Sequence, residues 1–231
     1  MLEHLFDRGD GYDIWRLGVI GASLAVSVIY LAYVDKPASP ARTALKTAAI
    51  GILAVLPFSY LGTTGANPIF ALIAALALSA AGDLLLALKD QQRYFVIGLA
   101  TFLLAHLAYL AAFLPHAATP QGAALVAVVA ALAASGALLA VLMPRLGKMK
   151  LPVIAYFTVI MAMVAAALSI SGASWLLGAG AVIFALSDSL IAVRKFLTPF
   201  PGIHAAVWIT YVAAQFMITF AFLAFIVPPL R

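Results

Sequence analysis

Eight apolar runs, each long enough to cross a bilayer, fill this chain almost from end to end, at about 14–34, 43–61, 68–88, 94–114, 121–143, 150–170, 173–193 and 203–227. Roughly 20 apolar residues of helix span the hydrocarbon core of a membrane. Inside lipid the backbone must satisfy its own polar groups, and runs of this length are too long for barrel strands. Each run is therefore expected to be a helix. The fold class that follows is all-α: a polytopic membrane protein, a bundle of eight transmembrane helices forming one domain over residues 1–231. Composition agrees, since 9% of the residues are charged and 66% apolar, against ~25% charged in soluble domains. An ordinary soluble globular protein is excluded.

The chain has no cysteine, which removes disulfide frameworks, thiolate nucleophiles and Cys-based zinc or iron–sulfur sites together. Its net charge of +5 comes from basic residues standing singly or in twos and threes between apolar runs. They form no stripe that would suit nucleic acid. The first thirteen residues include Glu3, Asp7, Asp10 and Asp13 and lack a basic start, so the first run is expected to be a permanent span rather than a cleaved signal. Lys36, Arg42, Lys46, Lys89, Arg93, Arg145, Lys148, Lys150, Arg194 and Lys195 lie in or beside the first, third, fifth and seventh connections, and the second, fourth and sixth have no Lys or Arg. Lys and Arg mark cytoplasmic loops. Both termini are thus expected outside the cytoplasm, in the inner membrane if the source is bacterial, with membrane lipids as surroundings.

Asp83 and Asp188 are the carboxylates well inside the expected spans. An Asp at a helix centre costs ~2.5 to 3.5 kcal/mol even on lenient insertion scales. Counted from the expected cytoplasmic ends, each lies ~8 Å inside the apolar region, at matched depth and able to face one site. Gly82-Asp83-Leu84-Leu85-Leu86-Ala87 also reads like Ser187-Asp188-Ser189-Leu190-Ile191-Ala192. A real correspondence would make a parallel four-plus-four repeat. The fourth span adds His106 and Tyr109 on one face, and the eighth adds Tyr211 and Gln215. The bland reading of His106 is an imidazole bonded to a backbone carbonyl, and that of the tyrosines is packing. Lys46, at the expected start of the second span, and Arg194 with Lys195, closing the seventh, serve either as topology signals or as a cationic rim for a phosphate. His4, His116 and His204 have no ligand spacing among themselves. Nothing calls for a metal or another cofactor.

The ordered combination of Gly82-Asp83-Leu84-Leu85-Leu86, Phe95, Gly98-Leu99, Phe102 to Tyr109, Leu186-Ser187-Asp188, Lys195-Phe196, Tyr211 and Gln215 resembles the YhhN-like lysoplasmalogenase family of integral membrane proteins. The likeness covers essentially the whole chain and is strongest at 78–110 and 183–216. It departs at Lys46-Thr47, where many members have Lys-Pro, which bears on the geometry of that helix start. The resemblance implies an ether-bond hydrolase, with no cofactor, that splits the vinyl ether of a lysophospholipid into a fatty aldehyde and a glycerophospho-alcohol. Asp83 and Asp188 would be catalytic; Lys46, His106, Tyr109, Ser187, Lys195, Tyr211 and Gln215 would line the pocket. The residue types suit this chemistry, because vinyl ether cleavage needs an acid to protonate carbon and an anion to steady the resulting cation or activate water. Which aspartate does which stays open. Substrate is expected to enter sideways from the cytoplasmic leaflet.

Two other readings use paired intramembrane aspartates. An aspartyl protease would need Gly where the chain has Ala80 and a Tyr-Asp pair that no span contains. A proton-coupled carrier would titrate Asp83 and Asp188 during alternating access, and it would be supported by helices broken at corresponding positions.

Overall fold

The computed structural model describes residues 3–63, 66–88 and 91–229, and the expected cytoplasmic Lys89 lies outside them. Among the described residues the regular elements are helical, with an isolated bridge between Ala117 and Ile170. A short α1 (Glu3–Phe6) precedes eight long helices: α2 (Asp13–Leu31), α3 (Pro40–Leu53), α4 (Ala66–Ala87), α5 (Gln91–Phe113), α6 (Gly122–Leu142), α7 (Lys150–Leu168), α8 (Trp175–Phe196) and α9 (Ile203–Ile226). Eight helices are long and apolar enough to cross a membrane once α3 is continued to Tyr60. The expectation of an eight-span all-α membrane protein therefore holds.

Local chemistry explains where the boundaries moved. The second helix starts at Pro40 rather than near residue 43, because the Ser39 side chain accepts a hydrogen bond from the Arg42 amide and Pro40 opens the first turn. It stops at Leu53 and gives way to a 3-10 turn over Leu56–Tyr60, where Pro57 has no N–H with which to extend the α-helix. The eighth element of the chain, α8, begins on a Ser174 cap and runs three residues past the expected end, so that Arg194 and Lys195 form its last turn. Basic residues are favourable there against the helix dipole.

Contacts divide the chain into two compact units, Met1–Ala112 with Thr219–Arg231, and Phe113–Ile218. In the first unit α3 and α4 run antiparallel: Thr43 Oγ1 donates to the Ala87 carbonyl at 3.4 Å, while a Cβ on Gly51 would meet Ala80 at 3.9 Å. The α2–α3 contact is tied by Ser23, whose hydroxyl donates to the Ala49 carbonyl at 2.6 Å. Gly82 has a packing purpose, since a Cβ there would lie 2.6 Å from the Phe102 ring. In the second unit Gly180 allows similar closeness, as its Cβ would lie 2.9 Å from Met217 Cβ and 3.1 Å from the Ile218 amide.

One end of the first unit carries a clasp. Arg16, fully buried in the first turn of α2, donates to Asp10 at 2.6 and 2.9 Å, to Asp13 at 2.8 Å and to the Ser59 carbonyl at 2.9 Å. Its guanidinium also lies 4.4 Å from the Tyr60 ring centroid. Arg8 adds a bond to the Pro228 carbonyl at 3.1 Å, and the Tyr60 hydroxyl donates to the Leu5 carbonyl at 2.9 Å. The acidic tail is thus a folded partner of α2 and of the turn that ends the second span.

Elsewhere the surface suits lipid rather than water. Ile14, Leu17, Leu24 and Val28 on α2 and Val126, Val129 and Leu132 on α6 are exposed. In water such stripes would aggregate; in a bilayer they face their solvent.

Two outcomes follow from this packing. Gly82→Ala is expected to destabilise the protein by ~1 to 3 kcal/mol through overpacking, and Phe102→Leu should recover most of the loss in thermal unfolding of the detergent-solubilised protein. The clasp makes a pH-dependent contribution. The hydrogen bond from Arg16 holds the Asp10 carboxyl below its ordinary value of 3.8. A depressed folded-state value means that stability is complete above the unfolded value and is lost as pH falls through the folded one. The melting temperature of wild type should therefore fall more steeply below pH 3.8 than that of Asp10→Asn.

Candidate active site

A carboxylate placed inside a span must find its own counter-charge. Asp83 is 1% exposed, and Lys46 Nζ lies 3.0 Å from its Oδ1. The early start of α3 makes this contact possible. Lys46 sits well inside the helix rather than at its first turn, and the antiparallel register that sets Thr43 beside Ala87 sets Lys46 beside Asp83. Lys46 is expected as a topology signal or in a cationic rim, and the structure turns its ammonium onto the carboxylate.

Two hydroxyls near this pair depart from the local habit. Ser27, Thr101, Thr158, Ser169, Ser189 and Thr210 donate to the carbonyl four residues earlier at 2.6 to 2.9 Å, the usual arrangement for helical Ser and Thr in an apolar setting. Ser79, one turn before Asp83, and Thr47, next to Lys46, have buried hydroxyls with no hydrogen-bond partner among the described residues. A buried hydroxyl without a partner is costly, and both are disposed to receive a polar group brought in from outside. Further along the first unit, His106 is 1% exposed and its Nδ1 lies 2.7 Å from the Phe102 carbonyl. A carbonyl only accepts, so Nδ1 carries the proton and Nε2 presents a lone pair. The carbonyl-bonded imidazole of the bland reading is the arrangement found. Tyr109 is fully buried one turn further on.

In the second unit Asp188 is half-buried on α8, and the hydroxyl of Tyr156 on α7 donates a hydrogen bond to its Oδ2. Nothing in the sequence singled out Tyr156, since a tyrosine in an apolar helix reads as packing until its partner on another helix is known. Ser187, fully buried, donates to the Val207 carbonyl at 3.1 Å and so fastens α8 to α9 beside Asp188. Tyr211 packs edge-on against Phe184, with ring centroids 5.5 Å apart, and tilts against Trp208 at 5.8 Å. Gln215 is fully buried one turn beyond Tyr211, while Lys195 is exposed at the end of α8. A cavity of about 380 Å³ in this unit is lined by Thr119, Gln121, Leu168 and Ser169 among others. It lies at the far end of α7, ~18 Å along the helix from Tyr156, and is separate from the aspartate.

Counted from the observed helix ends, the two aspartates stand at different distances along their helices. Asp83 stands four residues before the end of α4, ~6 Å along its axis, and Asp188 eight residues before the end of α8, ~12 Å. The difference comes from the extension of α8 through Arg194 and Lys195. Neither aspartate-bearing helix is broken: α4 runs from Ala66 to Ala87, and α8 passes through Gly178-Ala179-Gly180 without interruption. The discontinuous helices that would support a carrier are thus not found at either aspartate. Among the described residues no cluster of His, Asp or Glu has the makings of a metal site.

The sequence model of the YhhN family matches residues 41–222. The curated lysoplasmalogenase of Mycobacterium bovis is 41% identical over 155 residues, 65% of this chain and 59% of that protein, so the chain spans about three fifths of its length. Human lysoplasmalogenase TMEM86B is 37% identical over 155 residues, 67% of this chain and 64% of its own. Mouse lysoplasmalogenase TMEM86B is 32% identical over 220 residues, 94% of this chain and 90% of its own. No solved structure matches the chain. The family match begins at the start of α3 and ends near the end of α9, taking in Lys46, Asp83, Tyr156 and Asp188, and on that extent the chain belongs to the YhhN family.

Proposed function

We propose that this protein is a membrane-embedded lysoplasmalogenase, which hydrolyses the vinyl ether of a lysoplasmalogen to a fatty aldehyde and a glycerophospho-alcohol. The observation that carries the reading is Asp83, buried within a span and paired with an ammonium at 3.0 Å. The lysoplasmalogenase relatives supply the substrate class. The ammonium of Lys46 beside Asp83 supports an anionic role for that residue and a proton-donating role for Asp188.

The chemistry then balances. The carboxylic acid of Asp188 delivers its proton to the β-carbon of the vinyl ether as the π pair forms the new C–H bond, leaving positive charge shared between the α-carbon and the ether oxygen. Water attacks the α-carbon and gives a proton to the carboxylate that Asp188 has become. The hemiacetal collapses as Asp188 returns that proton to the departing glycerol oxygen and takes up the hemiacetal hydroxyl proton, which restores the acid. The division into acid and anion parallels glycoside hydrolysis. Ser79 and Thr47 are suited to hold a polar group beside Asp83, and His106 and Tyr109 in the first unit and Tyr211 and Gln215 in the second are proposed substrate-binding residues. With Lys46 engaged by Asp83, Arg194 and Lys195 in the last turn of α8 are the cations proposed for the phosphate. The helix ends that carry Lys and Arg face the cytoplasm in this reading, both termini lie outside it, and substrate arrives from the cytoplasmic leaflet.

Purified protein in lipid should release aldehyde from a lysoplasmalogen and none from its saturated ether analogue. Asp83→Asn and Asp188→Asn should each lower kcat by ~10² or more, the usual scale of general acid–base catalysis. Lys46→Met should lower kcat rather than raise KM alone, since its partner is the carboxylate. Retention of near-normal turnover in either Asn variant would remove that aspartate from the mechanism. The orientation is tested in this chain without native cysteine: a cysteine introduced at Thr119 should react with an impermeant maleimide on intact cells, and one at Lys148 should not. The reverse pattern would invert the topology.

A further inference from the structure

We propose that Tyr156 is a positioning residue that drives proton donation by Asp188, an inference that rests on the hydrolase reading above. A buried tyrosine hydroxyl needs a partner, and in this protein the alternative is on view: Tyr60 satisfies its hydroxyl on the backbone carbonyl of Leu5 at 2.9 Å. Tyr156, buried on α7, spends its hydrogen bond on a carboxyl oxygen of the neighbouring helix instead.

The surrounding packing holds the two side chains in register. Gly178, near the start of α8, has no side chain, and a Cβ there would lie 2.6 Å from Leu168 Cδ2 at the end of α7. That closeness at one end of the antiparallel pair brings α7 and α8 together, with Tyr156 and Asp188 in the other half of each helix.

The consequence for the reaction follows from this bond. The phenol donates to one carboxyl oxygen of Asp188, Oδ2, in the acid form and in the anion alike. When the acid proton passes to the β-carbon, the acceptor of the tyrosine bond changes from a neutral acid to an anion. Hydrogen bonds to ionised acceptors are shorter and roughly twice as strong as neutral ones. The bond therefore strengthens as the transition state is approached, which is the property that raises kcat without tightening substrate binding. The tyrosine transfers no proton itself and touches no reacting atom.

The test replaces Tyr156 in the full-length protein, in lipid, with phenylalanine and with mono- and difluorotyrosine, which keep the ring's shape while making the phenol a better donor. Aldehyde release from a lysoplasmalogen is followed for each. Tyr156→Phe is expected to lower kcat about tenfold with KM little changed, and kcat should rise again across the fluorinated series in the order of phenol acidity. A Phe variant as fast as wild type, or a rate that is flat or falls with fluorination, overturns the proposal while leaving the hydrolase reading in place. Absence of vinyl ether hydrolysis by the unmodified protein overturns both. Loss of folding in the Phe variant would not hide the answer, because the fluorinated proteins retain the hydroxyl and report the same dependence.

Discussion

A charge inside a bilayer has no water to turn to, and the architecture around Asp83 is arranged to meet that constraint. The carboxylate is neutralised by Lys46 from the neighbouring helix, and losing one member of a buried pair typically costs ~3 to 5 kcal/mol. Everything that fixes the register of α3 against α4 therefore serves the charge. Ser39 and Pro40 start α3 early enough to carry Lys46 to the required height. Thr43 ties the same helix face to the Ala87 carbonyl, and Gly82, beside the aspartate, lets α5 approach α4 closely enough for Phe102 to pack on it. The pairing also separates two duties that one lysine combines. Lys46 belongs to the run of basic residues proposed to orient the protein, and it supplies the counter-charge of a proposed catalytic group.

The second unit solves a related problem with a neutral donor. Asp188 receives a phenol hydrogen bond, and Ser187 beside it anchors α8 to the backbone of α9. The ammonium of Lys46 lies beside Asp83, and the phenol of Tyr156 donates to Asp188. Different company is the condition under which two like groups take opposite roles in acid–base chemistry. The similar hexapeptides around the two aspartates thus bring different partners to each, Lys46 to Asp83 and Tyr156 to Asp188.

Much of this was legible in the sequence because bilayer thickness is so strict a ruler. Span number, span type and the two costly carboxylates follow from length and apolarity alone. The unread parts share a physical cause, which is that they depend on pairing between elements rather than on pattern within one. Tyr156 is indistinguishable from a packing tyrosine until α8 is laid beside α7. Arg16 stands in an acidic tail and first turn, where its charge looks solvated; three carboxylate and carbonyl groups and a tyrosine ring enclose it instead. Lys46 reads as a rim residue when the helix is started at 43 and as a buried partner when Ser39 caps it. The extra turn of α8 was missed for a related reason, since Arg194 and Lys195 look like a loop but complement the helix dipole and extend the last turn.

The central claim is that this polar set inside an apolar bundle protonates the carbon of a vinyl ether. The most direct measurement is the isotopic composition of the aldehyde formed in heavy water by the purified protein, trapped as it appears. Protonation at the β-carbon by a solvent-exchanged carboxylic acid predicts one deuterium on the carbon next to the aldehyde carbonyl. Aldehyde without deuterium at that carbon would contradict the account.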